Sequence, residues 1–205
     1  MLISDKKNFL YFHLYKVAGT SIRNALIPYC SKSQVVAQNA NYIASILGGS
    51  FNSNPLHQFH PDLKKVRDHL GDKFYSYYRF TFVREPLDWQ KSIYFFTKKN
   101  PRHHQHKIVK DMTFEEYLRW RINTDLKLQS DLLIDGNELL VNDTYKFEDI
   151  QNEFKKLSDK LGIFSSLKHK NIAGAGKKIE ISPQLKTEFI DIFRKDYETF
   201  GYELI

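Results

Sequence analysis

The chain predicts an α/β fold with a central parallel sheet flanked by helices, and three observations carry that reading. Short apolar and aromatic runs at residues 9–14 and Tyr78–Val83 are bounded by charged or turn-forming residues, as buried strands are. Each of them passes through a turn into a stretch of helical character. Further along, apolar residues recur at helical spacing before and after one more short strand, and strands that alternate with helices favour parallel pairing. No repeat and no linker interrupts the 205 residues, so residues 1–205 read as one domain.

Taken in order, the first strand covers 9–14, and Gly19-Thr20-Ser21 breaks it before a helical stretch at 22–27. Residues 31–58 are rich in Ser, Asn, Gln and Gly and predict loop, with one short helix over 42–47. Leu63, Val66 and Leu70 set a helix over 61–70 that Gly71 ends. The second strand, Tyr78–Val83, turns at Arg84-Glu85-Pro86 into a helix over 87–96. Residues 98–110 hold five Lys/Arg and three histidines without an acid, and predict a solvated basic loop rather than a metal cluster. Thr113 with Glu116 three residues on is a capping-box pattern. A short strand follows at 144–147. Ile150, Phe154, Leu157 and Leu161 then line one face of a helix over 149–161. Ser182-Pro183 opens the last helix, whose stripe is Leu185, Phe189, Phe193 and Tyr197.

Charge and cysteine content narrow the function. With 31 Lys+Arg against 24 Asp+Glu, the net charge of +7 points to a polyanionic partner, whether nucleic acid, acidic glycan, anionic lipid or a phosphorylated small molecule. The single cysteine, Cys30, excludes an internal disulfide framework and a multi-cysteine zinc module. No stretch reaches the roughly 18 continuous apolar residues of a membrane span. Lys6, Lys7 and Asn8 precede a short run with no small-residue cleavage site, so no signal peptide is expected.

The most informative segment is FLYFHLYKVAGTSIRNAL, residues 9–26. A buried strand, a loop with Lys16, Gly19, Thr20 and Ser21, and a helix start together suit a phosphate. Helix N-termini offer backbone N–H groups and partial positive charge, glycine admits the anion, and lysine adds a full charge. It is not a Walker A loop, because the lysine precedes the glycine. The plain alternative is a strand-to-helix turn capped by Thr20 or Ser21. The second segment, YRFTFVREPLDWQKSIYFF, sets Arg84 at a strand end and Ser92 two helical turns later, a pair suited to clamp another phosphate. Its plain alternative is an ion pair of Arg84 with Glu85 or Asp88.

These two segments resemble the cofactor loops of sulfotransferases that use 3′-phosphoadenosine 5′-phosphosulfate (PAPS), in the branch of the heparan sulfate 2-O-sulfotransferase type and its bacterial relatives. The family reads approximately F-x-H-x-P-K-[TV]-[GA]-[GS]-T-S and F-V-R-[DN]-P-x-[DE]-R-x-x-S-x-Y. The chain keeps Lys16, Gly19, Thr20, Ser21, Arg84, Pro86, Asp88, Ser92 and Tyr94, with Tyr15 where proline is usual and Trp89 where arginine is usual. Blocks around His60, at 129–133, at 145–150 and at the C-terminus follow in the family's order. The resemblance implies a P-loop-like three-layer fold. It implies that Lys16, Val17, Ala18, Gly19, Thr20 and Ser21 hold the 5′-phosphosulfate and that Arg84 and Ser92 hold the 3′-phosphate. A late basic loop that includes Lys177 would close on the same side. Histidine suits proton removal from an acceptor hydroxyl near neutral pH, and His60 is the candidate base, with His57 the fallback. His60 is expected at a helix N-terminus, which would favour its neutral form. Lys16 would also stabilise charge in transfer, no metal is called for, and Gln129 and Asp131 would meet the acceptor. The expected acceptor is a carbohydrate or glycolipid hydroxyl, in a cytoplasmic enzyme of bacterial type. The rivals are a P-loop nucleotide kinase, and a non-enzyme that binds nucleic acid or PAP, the desulfated product.

Overall fold

Strand β1 (Leu2–Ser4) and strand β2 (Phe9–Phe12) open the chain as an antiparallel pair, with Leu2 opposite Tyr11 and Asn8 at φ 50° in the turn. The computed structural model describes residues 1–47, 49, 52–167 and 181–205. Helix α1 (Gly19–Leu26) follows, then α2 (Lys32–Ile46), α3 (Leu63–Leu70) and the single turn α4 (Lys73–Ser76). Strand β3 (Tyr78–Val83) leads into α5 (Pro86–Lys99), the single turn α6 (His106–Val109) and α7 (Phe114–Thr124). A two-stranded hairpin, β4 (Ile134–Asp135) with β5 (Glu138–Leu139), precedes β6 (Asp143–Lys146), α8 (Ile150–Leu161) and α9 (Pro183–Phe200).

The chain divides into two compact units. One holds Met1–Val83 and the segment from Leu132 through α8; the other holds Arg84–Asp131 and α9. The first unit carries the sheet, in the order β1-β2-β3-β6 among the described residues. β2 pairs parallel with β3 and β3 parallel with β6, with Phe12 opposite Thr81 and Thr81 opposite Thr144. The fold class is thus mixed α/β with a mostly parallel sheet; β1 is an antiparallel edge that three residues were too few to announce. Every residue of β2 is buried, as expected of a strand covered on both faces. Its Tyr11 ring stacks on Phe80 at 5.4 Å and Phe9 tilts against the same ring at 5.8 Å. Parallel pairing sets the carboxyl ends of β2, β3 and β6 side by side.

The second unit is helical. Tyr94 of α5 meets Phe114 and Tyr117 of α7 at 5.4 and 5.3 Å, and Phe189 stacks on Phe193 of α9 at 4.1 Å. The capping box forms as the sequence predicts, with the Thr113 amide donating to Glu116 at 2.7 Å and the Glu116 amide to Thr113 Oγ1 at 3.3 Å.

Several boundaries differ from expectation. The first strand stops at Phe12, because the chain turns away at His13. The segment expected to be mostly loop contains the fifteen-residue α2. Its inward positions include Gln38 and Asn41, both buried, so the hydrophobic period is broken by polar residues. Gln38 Nε2 donates to the carbonyls of Met1 and Leu56 at 2.8 and 2.9 Å, and its Oε1 accepts from Arg23 at 2.8 Å. α3 begins at Leu63 rather than 61, since the Asp62 carboxylate caps it by accepting from the Lys64 amide. The basic segment 98–110 contains α6 in place of continuous loop. Among the described residues, no helix is long and apolar enough to cross a membrane.

Candidate functional site

Residues 13–18 connect β2 to α1 through two left-handed non-glycine residues, Lys16 at φ 63° and Ala18 at φ 57°. Such backbone costs energy that the surroundings must offset, and it clusters at functional turns. Ala18 is the N-cap of α1 and offers no side-chain acceptor; the amides of Ser21 and Ile22 both donate to its carbonyl, at 2.9 and 3.2 Å. Thr20 and Ser21 therefore lie inside the first turn, which overturns the reading in which either of them caps it. The turn is aimed as an anion cradle would be, with amides rather than a capping side chain at its mouth. Lys16 and Ala18 are half-buried, Val17 is buried and Thr20 is exposed. The Lys16 ammonium stands 6.0 Å from the centre of the Tyr15 ring, the residue that replaces the usual proline.

Gly19 has a specific reason to be glycine. A Cβ there would fall 1.4 Å from His13 Nε2 and 1.9 Å from His13 Cδ2. The His13 ring thus lies directly over the first residue of α1.

His60 packs against the same ring, with centroids 4.5 Å apart, and against Tyr15 edge-on at 5.9 Å. Its Nδ1 is 2.9 Å from the His13 carbonyl oxygen. A carbonyl only accepts, so Nδ1 carries the hydrogen and the neutral ring presents Nε2 as its basic nitrogen. One side of His60 is open to solvent while the packed chain strips water from the other. That desolvation lowers its pKa from the ordinary 6.5, against the opposing pull of the His13 carbonyl. The expected helix-terminus effect is not the cause, because α3 starts three residues later under its own Asp62 cap. His13 is buried, and desolvation first, then the neighbouring His60, push its pKa well below 6.5. The fallback base, His57, is held elsewhere: its Nδ1 meets Asn52 Oδ1 at 3.2 Å, and it lines a cavity of about 510 Å³ with Gln34, Leu56, Lys73 and Tyr77.

In the other unit, Arg84 begins the turn into α5 and is buried. Its Nε donates to Asp88 Oδ2 at 2.6 Å, so the ion pair weighed as the plain alternative is present and fixes the guanidinium one helical turn below. The Arg84 main chain is clamped by Gln129, whose Oε1 accepts from the Arg84 amide at 3.0 Å and whose Nε2 donates to the Arg84 carbonyl at 2.7 Å. Asp196 of α9 holds that segment in turn, accepting from the amides of Gln129 and Ser130 at 2.9 and 2.8 Å. Burial raises the Asp196 pKa above the ordinary carboxylate value despite those bonds. Glu85 caps α5 by accepting from the amides of Leu87 and Asp88, and Tyr197 donates to Glu85 at 2.6 Å. Ser92 is buried on α5.

Gln129 is fully buried with its amide spent on Arg84, so the expectation that it meets the acceptor fails; it positions the arginine. Asp131 pairs with Lys195 at 2.7 Å on the surface. Lys177 lies outside the described residues. Among the described residues, no three His, Cys, Asp or Glu are grouped to hold a metal ion. The residue that sequence reasoning missed is His13. Its signal was the histidine three places before the lysine in the family pattern, which falls on it. A family model described as "Sulfotransferase family" matches residues 1–203. No curated protein and no solved structure matches the chain.

Proposed function

The chain belongs to the sulfotransferase family, and from that premise we propose that it moves a sulfuryl group from PAPS to a hydroxyl of a carbohydrate or glycolipid acceptor, with His60 as the base. The observation that carries the reading is the His60 Nδ1 contact to the His13 carbonyl, since it reserves Nε2 as the proton acceptor. His60 Nε2 takes the acceptor's hydroxyl proton, and the lowered pKa keeps that nitrogen unprotonated at neutral pH. The donor supplies the sulfuryl group and a phosphate leaving group.

Lys16, the amides of residues 17–20 and the hydroxyls of Thr20 and Ser21 are suited to the 5′-phosphosulfate end and to the charge that builds as the leaving bond breaks, the kind of interaction that contributes most to catalysis. The uncapped start of α1 fits an anion there. Arg84, oriented by Asp88, and Ser92 take the 3′-phosphate, and Lys177 joins them. In this reading residues 1–205 act as one P-loop-like catalytic domain, and the remaining positive charge serves an anionic acceptor.

Calorimetric titration with PAP tests the donor. Wild type should bind it tightly and Arg84→Ala poorly, and a wild type that ignores PAP but binds ATP would sink the reading in favour of a kinase.

A further inference from the structure

Resting on the reading of His60 as the base, we propose that His13 is a positioning residue that couples the donor loop to that base. Two contacts meet in this one residue. Its carbonyl holds His60 Nδ1 at 2.9 Å and so selects the tautomer. Its ring occupies the space that a side chain at residue 19 would need, with Nε2 1.4 Å from the position of a Gly19 Cβ. Both contacts are set by the same short stretch of backbone. The preceding carbonyl, that of Phe12, accepts from Thr81 Oγ1 at 2.7 Å and pins the chain to β3. On the far side the ring is stacked on Tyr11 at 5.9 Å, with 21° between the planes. With the strand end fixed and the ring wedged between Tyr11, His60 and Gly19, the His13 carbonyl has one direction left to point.

A hydrogen bond at Nδ1 does not explain why this residue is a histidine. It is 7 % exposed and its Nδ1 is buried with no hydrogen-bond partner. What the site uses is the length and volume of this side chain, which closes over a glycine. A shift of the loop at Gly19 must move this ring, and a shift of the ring moves the carbonyl that sets the His60 tautomer. The donor loop and the base thus share one mechanical element.

The test reads the tautomer of His60 by nitrogen-15 NMR on the protein alone, without donor or acceptor. Wild type should show the Nδ1–H form, and an Nε2–H form in wild type would overturn the proposal. Gly19→Ala, which adds one carbon to the donor loop, should mix the two tautomers, as should His13→Ala. His13→Gln, of nearly the same length and volume, should restore the Nδ1–H form. A pure Nδ1–H signal in both Gly19→Ala and His13→Ala would overturn the coupling. In turnover, His13→Ala should lower kcat roughly tenfold or more with little change in donor KM, since misplaced groups lose rate before binding. His13→Gln should recover most of that loss; equal losses in Ala and Gln with an unchanged tautomer would make His13 act through its own nitrogens and overturn the positioning role. Because the tautomer is read without substrate, a failure of the sulfotransferase reading leaves it intact, and PAP binding reports that failure separately.

Discussion

The loop after β2 and the turn before α5 are pre-organised by opposite means. Around His13, His60 and Gly19 order comes from shape and from neutral groups: a carbonyl that selects a tautomer, a ring over a bare Cα, and a turn with two left-handed residues. Around Arg84 it comes from charge and buried hydrogen bonds, through Asp88, Gln129, Asp196 and Glu85 in sequence. Shape-held groups fail when one atom is added or removed. Charge-held groups fail by degrees, because each lost bond leaves others in place.

The largest effect should follow from breaking the neutral region at its working atom. His60→Ala should lower kcat by about 10²–10⁴-fold, the usual worth of a general base, while PAP affinity stays within about twofold. Near-normal turnover would move the base to His57 or elsewhere, and a collapse of PAP binding would make His60 a structural residue. Next comes the charged region. Arg84→Ala should weaken PAP by roughly 10–100-fold, from the loss of charge-assisted bonds of about 1.5–3 kcal/mol. Asp88→Asn should weaken it by less, since the guanidinium remains and only its orientation loosens. Equal losses in the two variants would show that Asp88 does more than orient.

A smaller effect is expected one step further back. Asp196→Asn replaces a carboxylate that accepts two main-chain amides with a group whose NH₂ faces one of them. One buried donor is then left unpaired, and the fold should lose about 1–3 kcal/mol in urea unfolding. PAP affinity should fall with it, because Gln129 carries the Arg84 main chain. Lost stability with unchanged PAP affinity would confine the Asp196 chain to folding.

The same contrast explains what the sequence disclosed. β2, β3, α8 and α9 were legible because each buries a regular apolar pattern. α2 was not, since its buried face uses Gln38 and Asn41, whose value depends on carbonyls distant in sequence. The hairpin around Gly136 carried an Asp-Gly signal, but two-residue strands leave no alternation to detect. Arg84 was legible as a residue, whereas Gln129 was misassigned because its partners are main-chain atoms that no motif records. His60 was reached through family resemblance, with the wrong physical cause attached to its neutral form. His13 was passed over although the family pattern has a histidine at its place, because its role depends on Gly19, which lies beneath its ring.

Acid should separate the two regions most finely. His13 is buried and resists protonation in the folded protein, while in the unfolded chain it titrates near 6.5. As pH falls below that value the unfolded state takes up the proton first, so stability is full above about 6.5 and is lost as pH drops toward the folded value. The slope per imidazole is at most ~1.4 kcal/mol per pH unit. Asp196 has the opposite sign, because its raised folded pKa lets the native protein take a proton before the unfolded chain does, at pH values above 3.8. Urea unfolding at about pH 7 and about pH 5.5 should therefore show an acid loss in wild type that His13→Gln reduces, since glutamine has no proton to take up. Asp196→Asn should leave the slope over that interval nearly unchanged while lowering both values. If His13→Gln kept the full slope, the acid sensitivity would belong to other groups, and the neutral packing assigned to the loop after β2 would lose its thermodynamic support.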